Sequence, residues 1–245
     1  MQAYLDDYAL RVTQDRYGSQ SLAPEQEAKI REIADEMNIS EPVIIRRMNR
    51  ETLHAFGYYN AFAYFPQVIN CIPISNQPFL FVSEGFFKDL TPEEQRFLVG
   101  HELIHIREHH VRYSTLLYVL FVIFLFSFVF WLNKKRIIPF IDSQERFKNQ
   151  TYFRTIVVSL LFYISLAIPN LCHLAYRRHI EWVADEQSLL ALNSFEGGLK
   201  LFDRWQKDFK MPLHSPYYGL LADHPSCYER KMYCLNLQKK SKELV

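Results

Sequence analysis

Thr91-Pro92-Glu93-Glu94-Gln95-Arg96-Phe97-Leu98-Val99-Gly100-His101-Glu102-Leu103-Ile104-His105 carries both a helix start and a candidate metal site. Thr91 offers a capping hydroxyl, Pro92 suits a first helical position whose N–H has no partner, and Glu94 completes a capping box. A helix is therefore predicted from Pro92. Phe97, Leu98, Leu103 and Ile104 continue its apolar positions, and no residue type breaks it before Arg112. It is expected to run on toward the apolar segment that follows.

Inside this helix His101 and His105 are four residues apart and share a face, so both imidazoles can reach one ion while Glu102 stands beside it as a general base. Nine His and seventeen Glu in 245 residues give roughly 0.02 such H-E-x-x-H matches by chance, so a solvated polar helix face is a poor explanation. A catalytic zinc needs a third protein ligand and a position for water. Glu108 and Val111 stand where a metzincin would carry Gly and His. His109 lies about 12 Å of helix rise from His101, too far to share bonds of ~2 Å. The third ligand must come from elsewhere in the chain. Arg178-His179-Ile180-Glu181-Trp182-Val183-Ala184-Asp185 offers one, with Glu181 and Asp185 on one helical face. With Glu181 on the ion, Asp185 can accept a hydrogen bond from the far nitrogen of a ligand imidazole and fix its tautomer. A Glu-x-x-x-Asp pair alone is an ordinary exposed face; beside H-E-x-x-H its meaning changes.

Between the two motifs, residues 113–132 form an uncharged stretch from Tyr113 to Leu132, long enough to cross a bilayer. A second uncharged stretch runs from Thr155 to Tyr176, with Pro169, Asn170 and His173 marking a kink site. Buried core helices are the alternative. As spans, the two make a hairpin around residues 133–154, and an even number of crossings lets both halves of the site meet on one side. Trp131 and Tyr113 suit interfacial positions. Lys134, Lys135, Arg136, Arg146, Lys148 and Arg154 in the hairpin loop would favour a cytoplasmic loop, against Arg107, Arg112, Arg177 and Arg178 on the other flanks. The first residues carry Asp6 and Asp7 where an export signal would be positive. The flanks, and with them the site, are therefore expected on the cytoplasmic face.

Composition narrows the partners. With 28 Lys+Arg against 27 Asp+Glu there is no basic excess for phosphate, so no nucleic acid is expected. The chain is 49% hydrophobic and 22% charged, which excludes intrinsic disorder. Cys71, Cys172, Cys227 and Cys234 are scattered without a C-x-x-C pair, which fits a reducing compartment and neither a disulfide scaffold nor a Cys-rich structural zinc. Ala23 to Asn38 reads as an amphipathic helix, with Ile30, Ile33, Ala34 and Met37 on one face. Val43 to Ile45 and Phe79 to Val82, bounded by Pro42 and Pro78, read as strands. Helices are expected at His179 to Leu192, Gly197 to Phe209 and Ser226 to Lys240, the last with Ser226 and Glu229 as a capping box. The predicted fold is α+β, mainly helical, with a small sheet. Its parts are 1–112 with the zinc helix, 113–176 as transmembrane hairpin, and 177–245 with the third ligand.

These motifs, with Asn60-Ala61-Phe62-Ala63, Ser83-Glu84-Gly85 and His224-Pro225-Ser226 leading to Arg230, resemble the integral-membrane gluzincin zinc metallopeptidases. That group includes the HtpX heat-shock protease, the CAAX prenyl protease and the mitochondrial inner-membrane quality-control peptidase. The resemblance covers about residues 25–240. It implies one Zn2+ per chain on His101, His105 and Glu181, with Glu102 as base, Asp185 supporting a ligand, and His224 and Arg230 stabilising the oxyanion or organising the site. The chain departs from the group in three ways: no membrane helix is visible before the zinc helix, Ile104 replaces a usually small residue, and the length falls short of the prenyl proteases. The activity expected is that of a membrane-anchored zinc metalloendopeptidase acting on extended polypeptide, in membrane-protein quality control. An exposed sheet edge would hold the substrate, and Phe79, Leu80, Phe81, Val82 and Ser83 are the candidate strand. A membrane-tethered binding or scaffold protein with a structural or degenerate metal site is the main alternative, and a soluble protease acting on one regulator is another. His54, His173, His179 and His214 read as surface or packing residues. So does His110, although related peptidases often carry His there. Nothing in the sequence sets the oligomeric state.

Overall fold

The computed structural model describes residues 11–50, 60–65, 67–68, 72–73, 77–143, 151–208, 222 and 224–243. His54, Cys71 and His214 lie outside them. The expected α+β, mainly helical fold is present. Helix α1 (Pro24–Glu36) buries Ile30 and Ile33. The strands are β1 (Ile44–Arg47), β2 (Ala61–Tyr64), the short pair β3 (Gln67–Val68) and β4 (Ile72–Pro73), and β5 (Phe79–Val82). Helices α2 (Glu84–Asp89) and α3 (Pro92–Arg107) follow. Then come α4 (His110–Leu132), a π-helical turn (Asn133–Ile137), α5 (Ile138–Ser143), α6 (Thr151–Ala191), α7 (Phe195–Asp208) and α8 (Cys227–Glu243).

Strand β5 is the centre of the main sheet, parallel to β1 and antiparallel to β2, with Leu80 opposite both Ile45 and Ala63. Phe79, Leu80, Phe81, Val82 and Ser83 are all buried. The expectation that this strand is a free edge for substrate is therefore wrong. Its side chains are apolar on both faces because both are covered, the pattern of an interior strand. The edge nearest α3 is β2, which among the described residues pairs only with β5.

The predicted cap opens α3. Thr91 Oγ1 accepts from the Glu94 N–H at 3.3 Å, and a Glu94 carboxylate oxygen accepts from the Thr91 N–H at 2.8 Å. Such a cap contributes about 1 kcal/mol. Glu94 also receives Arg204 of α7 through two nitrogens, at 2.9 and 3.1 Å. Phe97, Leu98, Leu103 and Ile104 lie in one core with Ile30 of α1, Leu80 of β5, Leu189 of α6 and Phe202 of α7. Ile104 is wholly buried there. Ser226 and Glu229 form the expected capping box before α8.

Two helices depart from expectation. The first is α3, which stops at Arg107 and does not pass into the apolar segment. His109 takes a left-handed conformation with φ 49°, and α4 starts afresh at His110. The second is α6, in which one helix of 41 residues carries both the second apolar stretch and Glu181, staying helical through Pro169. Helices α4 and α6 pack along each other. Both are long and apolar enough to cross a membrane. Their apolar stretches are not core: Phe124, Phe130 and Tyr163 are 62, 66 and 69% exposed.

Candidate metal centre

Helix α3 turns His101 and His105 toward α6, where Glu181 meets them. Nε2 of His101 lies 3.1 Å from Nε2 of His105 and 3.3 Å from Oε2 of Glu181, and Nε2 of His105 lies 3.4 Å from Oε1 of Glu181. A tetrahedral zinc with bonds of 2.0–2.1 Å has ligand-to-ligand edges of about 3.3–3.4 Å. The spacings are near those edges, with Glu181 presenting a different oxygen to each ring, and the three buried side chains could hold a metal ion. No fourth His, Cys, Asp or Glu joins the group among the described residues.

Close approach of the two helices makes this possible. A Cβ on Gly100 would stand 2.5 Å from Leu192 Cδ1 and 2.5 Å from Ser188 Oγ, so a larger residue would have to push the ends of those two side chains aside. Ser188 Oγ donates to the Phe97 carbonyl at 3.0 Å, tying α6 to α3.

Support comes from α6 and α8. Asp185 Oδ1 lies 2.9 Å from Nδ1 of His101. Arg230 of α8 donates to both Asp185 oxygens, at 2.7 and 2.6 Å. The guanidinium rests over the Phe202 ring, 4.8 Å from its centroid. Burial opposes charge on Asp185, but Arg230 and His101 outweigh it and hold the carboxyl below its ordinary range. Glu181 is likewise held well below the usual carboxylate range, against its burial, by His101, His105 and His224. Both carboxylates are thus in the anionic form that metal binding requires.

Glu102, next to His101 in α3, accepts the Ala63 N–H of β2 through Oε2 at 2.7 Å. His224 stands half-exposed, with Nδ1 3.0 Å from Glu181 Oε2. Its segment is held by Arg178, which donates to the Ala222 carbonyl at 2.7 Å. The side chains of His101, His105, Glu181, Asp185, His224 and Arg230 meet at one place, and Glu102 lies in α3 between the two histidines. The strand Phe79 to Ser83 lies instead in the interior of the sheet. His109 stays apart, with its ring against Phe65 and Glu41.

The model of peptidase family M48 matches residues 20–232, nearly the whole of this arrangement. The chain belongs to peptidase family M48. No curated protein matches it. As an M48 chain it is a metallopeptidase of a zinc-dependent family, and its substrate is polypeptide. Two arrangements beside these M48 residues are not readable from the residue pattern, although Asn60 to Ala63 and His110 are themselves recognisable in the sequence. One is the edge position of β2, because edge and centre strands differ in pairing and not in residue type. The other is the position of His110, whose Nδ1 lies 3.1 Å from Nδ1 of His105. Five residues apart, they meet only because of the break at His109, and neither Gly nor Pro announces that break.

Proposed function

We propose that this chain is a membrane-anchored zinc endopeptidase in which His101, His105 and Glu181 hold the ion and Glu102 is the base. Bound there, zinc supplies a lowered pKa for water and polarises the scissile carbonyl. Glu102 takes the proton from the attacking water and passes it to the departing amine, breaking the C–N bond. His224, whose Nδ1 lies 3.0 Å from Glu181 Oε2, is the donor to the oxyanion that develops on the carbonyl oxygen as water adds to the carbonyl carbon. Arg230 and Asp185 hold His101 in its ligating tautomer.

An extended substrate lies along β2. Ala61, Phe62 and Ala63 pair with Val82, Phe81 and Leu80 of β5 on one side, and Ala63 reaches Glu102 on the other. Backbone pairing to such an edge gives affinity with little sequence preference, which suits disposal of unfolded or membrane-emerging segments. The division is residues 1–112 and 177–245 as the peptidase and 113–176 as the anchoring hairpin, with the peptidase on the cytoplasmic face. The exposed apolar surfaces of α4 and α6 support the anchor.

The observation that carries this reading is the grouping of two Nε2 atoms and a carboxylate, on a helix in which Glu102 directly follows His101. Glu102→Gln is the test. It should retain zinc and lose casein hydrolysis in detergent; equal hydrolysis by both forms, at equal zinc content, would refute the proposal.

A further inference from the structure

Resting on that reading, we propose that His110 is a positioning residue for the metal ligand His105, set in place by the base of the hairpin helix α4. In an unbroken α-helix, residues five apart point about 140° away from each other around the axis. His110 would then face away from His105. The left-handed turn at His109 starts a new helix and brings the two Nδ1 atoms to 3.1 Å, both side chains being buried. His109 is the residue that follows the C-cap of α3, the position at which a left-handed conformation commonly closes a helix.

The protonation pattern follows from geometry. His105 Nε2 faces His101 and Glu181, so it must present a lone pair to an ion there. The hydrogen of the neutral ring is then on Nδ1, and His110 Nδ1 is its acceptor. Each imidazole ligand therefore has its own partner, Asp185 for His101 and His110 for His105. An imidazole in place of the common carboxylate or carbonyl fixes the tautomer without adding a second anion. Ser114, one turn along α4 from His110 and also buried, lies with Oγ 3.4 Å from Nδ1 of His173 on α6. The packing of the two hairpin helices thus holds the face of α4 that carries His110.

The test compares three full-length proteins in detergent: wild type, His110→Leu and His110→Asn. Asn keeps an acceptor near the position of Nδ1, whereas Leu fills space without one. Zinc affinity is read by chelator competition and ligand geometry by the visible absorption of bound Co2+. His110→Leu should bind zinc about 10–100-fold more weakly and shift the Co2+ bands. His110→Asn should restore affinity to within about threefold of wild type, which a role in packing alone would not produce. Wild-type affinity and an unchanged Co2+ spectrum in His110→Leu would overturn the assignment, as would equal losses in both variants. Absence of zinc binding by the wild type would instead fell the metal-site reading, and this inference with it.

Discussion

Asp185 accepts from the His101 imidazole on one side and from the Arg230 guanidinium on the other, at 2.9 Å and 2.6–2.7 Å. The carboxylate links a candidate ligand on α3 to the C-terminal helix α8. It sits on α6, one turn beyond Glu181, so one helix supplies both the third ligand and the group that orients the first. Asp185→Asn keeps the shape but removes the charge. Zinc affinity should fall about 10–100-fold by chelator competition. Stability should also drop, because Arg230 stays buried without its counter-ion.

Gly100 sits where α3 and α6 touch. In Gly100→Ala the new methyl would press on Leu192 and Ser188, and turning Ser188 aside would break its bond to the Phe97 carbonyl. A loss of about 1–3 kcal/mol is expected in thermal unfolding. Zinc affinity should weaken with it, since His101 follows Gly100 directly.

The Glu94–Arg204 pair predicts a pH dependence away from the metal centre. Burial opposes charge on Glu94, yet Arg204 and Thr91 outweigh it and hold the carboxyl below its ordinary 4.5. The resulting stability is present above that value and is lost as the pH falls through the depressed one. Glu94→Gln should cost about 1 kcal/mol at neutral pH, a modest figure because Arg204 is one-third exposed. Unfolding curves of the two proteins should converge as the pH drops from above 4.5 through the lowered titration range of Glu94.

Much of this is legible in the sequence alone. Capping residues and four-residue spacing are local signals, so the start of α3, the face shared by His101 and His105, and the face shared by Glu181 and Asp185 could be read directly. The two uncharged stretches were visible because length and polarity alone define them. Long-range arrangement was not legible. Phe79 to Val82 has the composition of any buried strand, and its central position depends on β1 and β2 pairing on either side. The break at His109 depends on packing around an ordinary residue, so the approach of His110 to His105 left no trace in the residue pattern. The continuity of α6 through Pro169 was likewise hidden, because proline marks where a helix can bend without dictating that it ends.

X-ray absorption at the zinc edge, on the intact protein in detergent, tests the central claim most directly. Two imidazoles and one carboxylate oxygen at about 2.0–2.2 Å are expected in the wild type, with zinc lost from Glu181→Ala. Zinc held equally well by Glu181→Ala, with an unchanged set of nearest atoms, would contradict the account.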